Sequence, residues 1–476
     1  MKEKYPLLLG GRHIETPNML DVINPFDGKI VSRVCRASLK EASEAVEAAD
    51  TAKEIMAEMP SHMKAKILEN ISSKITERRE ELARCITLES GKPISAARTE
   101  ADRGALTFKI AAEEALRLGG EFIPLDRNTA SEKRWGMSRR FPVGTVLAIT
   151  PFNFPLNLVA HKVAPAIAAG NPVILKPASK TPITALMLGD IIMGSGLPEG
   201  ALSVLPCTGS IAEQILEDKR VKMLSFTGSA VVGWRLKSMA NRKKVTLELG
   251  GNAGVIIDEE CDLDYAVAQS VIGAFAYSGQ VCISVQRIYA HEKIYDRFTS
   301  LFLERMKTLK VGDPIDDATF IGPLIDNENI KRVEMWVDEA VGKGAKILAG
   351  GKGKGNFYEP TVLSNTTPEM KVNCREVFAP VVTLSKIRNF EEGITALNNS
   401  EYGLQAGVFT KDLRNAYSAF EKLDVGGVII NDIPNYRVDH MPYGGVKMSG
   451  FGREGLRYAI EEMTELRLMV LNLKSS

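Results

Sequence analysis

The sequence predicts an α/β protein: a doubly wound, mostly parallel sheet followed by a second α/β unit. Three observations point there. Short apolar runs follow one another in VGTVLAIT (143–150), NPVILKP (171–177), ALSVLPC (201–207), VKMLSFTG (221–228) and KVTLELGG (244–251). Helical patterns fill the gaps, as in TPITALMLGDIIMGSG, with Thr181 and Pro182 as start signals and Gly194 as a stop. Apolar strands alternating with helices form a parallel sheet covered on both faces. The third observation is bulk composition: 476 residues, 45% hydrophobic and 25% charged. That is a globular chain long enough for about two or three domains.

The elements justify themselves in order. Residues 39–117 read as helices. SLKEASEAVEAADTAKEIM and SHMKAKILENISSKITERREELARCITLESG are amphipathic, each with a Ser near its start, and Gly91 closes the second. The five apolar runs follow. Over 253–430 the pattern recurs more loosely, with strand-like GVIID, QRIYAH, PVVTLSK, AGVFT and GGVII and the helix YDRFTSLFLERMKTL. GGKGKG (350–355) is a surface turn. GFGREG (450–455) matches GxGxxG, but Pro442, Gly444 and Gly445 spoil any strand before it and too little chain follows for a βαβ unit. It reads as a bend-forming loop.

Charge and cysteine usage exclude several classes. A net charge of +1 leaves no footprint for nucleic acid and no basic block for a membrane surface. The charge-free stretches 141–160 and 265–286 carry prolines or amides and are not apolar enough to span a bilayer. The N-terminal apolar run is too short for a secretory signal. Six scattered cysteines without CxxC suit a reduced, cytoplasmic chain. Five scattered histidines show no HExxH and no zinc spacing, so no metal centre is expected and a catalytic base would not be histidine.

Several residues carry chemistry only in combination. Glu248, in LELGGN, ends a predicted strand, where open α/β sheets place ligands; a solvated strand-end Glu is the plainer alternative. Cys282, in SGQVC, is either core filler or a nucleophile on a loop. Asn153, between the prolines of PFNFP, offers an amide to an oxyanion or closes an Asx-turn. Lys176 ends a strand and suits phosphate or ribose. Gly228 and Ser229, with Gly233 beyond, open a helix whose N-terminus suits a pyrophosphate.

Taken together and in this order, the motifs PFNFP, LKPA, FTGS, LELGGN, SGQVC, REVFAP (375–380) and GGVKMSGFGREG (444–455) resemble the aldehyde dehydrogenase superfamily over essentially the whole chain. The resemblance implies a Rossmann-type cofactor domain over 1–121, 142–250 and 439–460. It implies a catalytic α/β domain over 251–438 and an oligomerisation β-element over 122–141 and 461–476. Cys282 is then the nucleophile that forms a thiohemiacetal and then a thioester. The Asn153 amide and the Cys282 N–H are oxyanion donors, and Glu248 activates the hydrolytic water. Thiolate chemistry suits a cysteine already partly ionised near neutral pH. Glu376 would bind the nicotinamide ribose and Phe378 pack against the ring. Lys176 would hold the adenosine ribose and Ser229 the pyrophosphate. Thr150, Pro151, Phe152, Ser179, Gly209, Phe226, Gly228, Gly233 and Leu249 would complete the cofactor site. The family assembles as homodimers or homotetramers through the hairpin near 122–141 and a donated C-terminal strand.

Two positions depart informatively from the family pattern. Phe152 stands where Trp is common. Ser179 stands where NAD-specific members often place Glu, which favours NADP, with Lys180 adjacent and NAD as a second cofactor. The branch resembled contains lactaldehyde, glyceraldehyde and non-phosphorylating glyceraldehyde-3-phosphate dehydrogenases. Arg103 and Arg437 are candidates for an anionic or hydroxylated substrate tail, with Phe154 beside them; ordinary surface or interdomain arginines are the alternative. Succinate semialdehyde is the runner-up substrate. A CoA-acylating enzyme and a non-catalytic structural protein are the other classes; Glu248 argues against the first and the complete Asn/Glu/Cys set against the second.

Overall fold

The computed structural model describes residues 1–473. Two large sheets organise the chain. In the first, Lys244–Glu248, Val221–Thr227, Thr145–Ile149, Val173–Lys176 and Leu202–Val204 lie side by side and parallel. These are the five apolar runs of the sequence, almost fully buried because helices cover both faces. Antiparallel additions close the edges: Gly450–Phe451 against Lys244–Glu248, and Leu7–Leu9 with Arg12–Ile14 beyond Leu202–Val204. The N-terminal LLL, too short for a signal, is thus a wholly buried strand.

The second sheet orders Lys346–Ala349, Thr361–Ser364, Val381–Ile387, Arg287–His291, Gly254–Ile257, Gln405–Phe409 and Gly427–Ile430. All pairs are parallel except Lys346–Ala349 with Thr361–Ser364. Those two strands escaped the sequence pattern. The first is largely exposed and the second is a four-residue run among turn residues.

Helix Leu39–Glu58 starts at a capping box in which Ser38 and Glu41 satisfy each other's end of the first turn. It buries Ala42, Ala45, Val46, Ala49, Ala52 and Met56, one helical face. The long run after it, expected as one helix, is two: Ser61–Glu77 and Arg79–Ser90, broken where Arg78 adopts φ −100° and ψ 18°. Gly91 ends the second at φ 72°, the left-handed stop expected of it.

A third sheet pairs Thr464–Asn472 with Arg134–Pro142, and that strand with Phe122–Pro124, all antiparallel. The C-terminal strand expected for a neighbouring subunit is therefore paired within its own chain and is an edge strand. Residues 474–476 of the expected oligomerisation element lie outside the described residues. All six cysteines are free thiols. Among the described residues no helix is long and apolar enough to cross a membrane, and no cluster of His, Cys, Asp and Glu is placed to hold a metal.

Candidate active site

The parallel strands of the first sheet all end on one side. There the chain sets out Thr150, Pro151 and Phe152 after one strand, Lys176 at the end of the next, Phe226 and Thr227 at the end of a third, and Gly228 and Ser229 just beyond it. Thr150 N–H bonds the Lys176 carbonyl at 3.2 Å, tying two of these ends together. Gly209 opens helix Gly209–Glu217 with no neighbour within 4 Å of where a Cβ would stand.

Four features of this edge fit a dinucleotide. Ser229 caps helix Ala230–Met239 without spending its hydroxyl on the helix. Thr227 Oγ1 is buried with no hydrogen-bond partner among the described residues. Lys176 Nζ bonds only the Pro177 carbonyl among the described residues, and burial lowers its pKa. Ser179 is exposed beside it. Gly228 and Gly233 have a second reason for lacking side chains. A Cβ at Gly228 would stand 2.7 Å from the Phe226 ring, and one at Gly233 would run into Leu249. Lys180, whose charge was expected to help, leans instead to Asp326 at 3.4 Å.

The turn after Lys244–Glu248 gathers the chemistry. Gly251 N–H donates to Glu376 Oε1 at 2.9 Å, while Gly251 itself packs against the Cys282 carbonyl where no side chain would fit. Glu376 is thereby brought to the Cys282 loop, and the charges of both Glu376 and Glu248 act on the Cys282 thiol. Glu248 is 3% exposed, and neither carboxylate oxygen has a hydrogen-bond partner among the described residues. Burial, then the Glu454 charge, push its carboxyl well above the usual range, against Arg437, Lys162 and Arg453. Gly444 leaves it room: a Cβ there would stand 2.8 Å from Glu248 Oε1. This is what the glycine-rich loop at 444–455 provides. Glu376 is raised to about 7, by burial opposed by the Gly251 N–H and Arg332.

Cys282 does not match one expectation. It is half-buried, and burial pushes its thiol up to about 11, so it is not partly ionised at neutral pH in this state. Asn153 Nδ2 donates to the Gln280 carbonyl at 2.9 Å, which ties its loop to the Cys282 loop and leaves its second N–H for another acceptor. Before Cys282, Tyr277 (φ 49°) and Ser278 (φ 55°) adopt the left-handed region, a strained turn at the site. Phe378, at φ 52°, meets Phe152 edge to face, their rings 5.9 Å apart. Leu249 is buried, its N–H on the Ser449 carbonyl at 3.0 Å.

The substrate-tail candidates lie in paired positions. Arg103 Nη2 bonds Asp439 Oδ1 at 2.7 Å, and the same oxygen lies 2.8 Å from His161 Nε2. Arg103 keeps 26% of its side chain exposed. Arg437 is buried, pairs with Glu454 at 3.0 Å, and lies over the Tyr443 ring at 3.6 Å. Phe154 stands edge-on to Tyr277, with Lys92 Nζ 3.7 Å from its ring centroid. Sequence reasoning missed Lys92, Glu100, Lys162, Tyr443 and Glu454. The Lys in GKP and the Lys in HKVAP were the only visible signals, a charge inside an apolar run.

Fold and site together define an oxidoreductase class. The chain matches the aldehyde dehydrogenase family over residues 13–469, and it belongs to that family. It is thus an enzyme coupling aldehyde oxidation to a nicotinamide cofactor. It is 45% identical over 472 residues to 3-sulfolactaldehyde dehydrogenase of Priestia aryabhattai, a match spanning 99% of this chain and 98% of that one. Aldehyde dehydrogenase 21 from Physcomitrella patens, solved with the reaction product succinate, superposes with a TM-score of 0.98 at 44% identity over the full length of both chains. Glyceraldehyde-3-phosphate dehydrogenase GapN from Methanocaldococcus jannaschii, complexed with NADP, gives 0.91 at 41% identity over 95% of this chain and 99% of that one.

Proposed function

We propose that this enzyme oxidises a small aldehyde to its carboxylate with NADP, NAD serving as second cofactor, through a thioester on Cys282 that water activated by Glu248 hydrolyses. The observation that carries the reading is Glu248: a buried carboxyl in space kept open by Gly444, with no hydrogen-bond partner among the described residues and with its charge acting on the Cys282 thiol. A buried carboxyl with a raised pKa is suited to take a proton from water.

Residues 1–121, 142–250 and 439–460 form the cofactor domain in this proposal, 251–438 the catalytic domain, and 122–141 with 461–476 the oligomerisation element. Lys176 and Ser179 hold the adenosine ribose and its 2′-phosphate, Ser229 the pyrophosphate, and Glu376 and Phe378 the nicotinamide end. When bound, the cofactor would supply the hydride acceptor that turns the Cys282 adduct into a thioester. The chain does the rest. Cys282 loses its proton to water, its sulfur bonds the carbonyl carbon, and the carbonyl π pair moves to oxygen. The Asn153 amide and the Cys282 N–H hold that oxygen. Glu248 then removes a proton from water as it attacks the thioester, and the sulfur leaves as thiolate.

The compounds named with the relatives (3-sulfolactaldehyde, succinate and glyceraldehyde 3-phosphate) all carry an anionic group. That supports a lactaldehyde- or glyceraldehyde-type substrate with an anionic tail, held by the exposed part of Arg103. Succinate semialdehyde is the second reading, favoured by the succinate complex. A homodimer or homotetramer in the cytoplasm belongs to the same proposal. Purified enzyme should be assayed against an aldehyde panel with each cofactor, with and without CoA. Carboxylate with NADP kcat/KM at least equal to NAD is expected. Acyl-CoA as product, or an NAD preference above about tenfold, would refute the corresponding part.

A further inference from the structure

We propose that Tyr443 is a catalytic residue of this site: its hydroxyl donates a hydrogen bond to the Cys282 sulfur and stabilises the thiolate that attacks the aldehyde. The inference rests on Cys282 being the nucleophile. Tyr443 Oη lies 3.2 Å from Cys282 Sγ. Among the described residues no other group bonds that hydroxyl, and the residue is 3% exposed. Its single proton has one acceptor.

The ring is fixed on every side. Tyr443 N–H donates to the Glu454 carbonyl at 3.0 Å, and Glu454 N–H returns a bond at 2.6 Å. The Arg437 guanidinium lies over the ring, its central carbon 3.6 Å from the centroid. Arg437 is held by Glu454, and Glu454 by Lys162 at 3.0 Å. A buried cation on a phenol face favours negative charge at the hydroxyl end and strengthens the O–H as a donor. Burial, and then the neighbouring Cys282, keep the phenol proton in place well above its ordinary range, so the group donates rather than ionises.

The sulfur needs that donor. The charged and titratable groups facing it are Tyr443 and Arg437 from the 432–443 loop, Glu248 from the end of Lys244–Glu248, and Glu376 from the turn before Val381–Ile387. The two carboxyls oppose a thiolate; Arg437 favours one through its charge and Tyr443 through a hydrogen bond. During attack the thiol proton goes to water and the phenol keeps its own. The S–C bond forms as the carbonyl π pair moves to oxygen.

The test is Tyr443→Phe in the full chain, which removes one oxygen and keeps the ring under Arg437. The rate of Cys282 alkylation by iodoacetamide is followed across pH by mass spectrometry of the Cys282 peptide, alongside kcat/KM for an oxidised aldehyde. Expected are a rise of about one unit in the apparent thiol pKa, and a fall of about tenfold in alkylation and in kcat/KM near pH 8. The KM for NADP should not change. 3-Fluorotyrosine installed at position 443, a stronger donor, should shift the alkylation profile the other way, which guards against a folding defect in the Phe variant. Profiles that superimpose on wild type within about twofold for both variants overturn the proposal. Loss of activity with an unchanged alkylation profile overturns it too. If wild type oxidises no aldehyde, the assignment of Cys282 fails instead, while the alkylation comparison still judges the hydrogen bond.

Discussion

Burial pushes the Glu248 carboxyl and the Cys282 thiol upward, and each must lose its proton for its proposed step. The ionised fraction of each therefore grows as pH rises. The proposed division of labour separates them. Glu248→Gln keeps the shape of the site but removes the base for hydrolysis. It should give a stoichiometric burst of reduced cofactor followed by steady turnover slowed at least about 10²-fold. Stopped-flow absorbance at the reduced nicotinamide band checks this; steady turnover near the wild-type rate would assign water activation to another group. Asn153, Glu248 and Cys282 were visible in the sequence because each sits in a short motif whose order along the chain is distinctive. Tyr443 was not. It is 161 positions from the sulfur it touches, and nothing local to MPYGG marks a hydroxyl aimed at a thiol.

Two acids on neighbouring helices serve as caps for other helices. Glu89, near the end of Arg79–Ser90, accepts the N–H groups of Ile183 and Thr184 at 2.9 and 3.1 Å. Glu100, on Ile94–Arg117, accepts those of Leu156 and Asn157 at 2.9 and 3.1 Å. Each satisfies donors that a helix start leaves unpaired. Glu100 also pairs with Lys92, whose buried ammonium lies between the rings of Phe154 and Tyr277. This one cation therefore braces both the loop carrying Asn153 and the turn leading to Cys282. Breaking a buried pair from one side typically costs about 3–5 kcal/mol. Lys92→Met should lower stability by about that amount in chemical denaturation, and Lys92→Met with Glu100→Gln should recover most of it. Equal instability in both variants would mean that packing, not charge, holds the position. The buried parallel strands were legible as apolar runs because both their faces are covered. Thr361–Ser364 and the break at Arg78 were not, since neither alters the local apolar period enough to be seen.

The third sheet exposes an apolar face on the outer surface. Phe122, Trp135, Met137 and Met469 share it, Leu466 and Leu468 are exposed on the opposite side, and each keeps between 45% and 60% exposure. Exposed apolar strands at a sheet edge are an aggregation hazard unless a partner covers them. A homodimer or homotetramer is the expected outcome, read by light scattering; a monodisperse species of about 52 kDa, the chain mass, would refute it. The sequence marked this face by its apolar final strand, but not that the strand pairs with Arg134–Pro142 of its own chain. That pairing joins segments more than 300 residues apart, beyond the reach of any local pattern. The first large sheet poses the same separation more sharply. One side is closed by Leu7–Leu9 with Arg12–Ile14 at its edge, and the other by Gly450–Phe451. A ribosome emits Leu7–Leu9 more than 400 residues before Gly450–Phe451. Until then the edge of Lys244–Glu248 has no cover, and Glu248 lacks the glycine loop that walls it in. From the synthesis of Lys244–Glu248 until that of Gly450–Phe451 the nascent sheet is an open-edged intermediate with an incomplete active site.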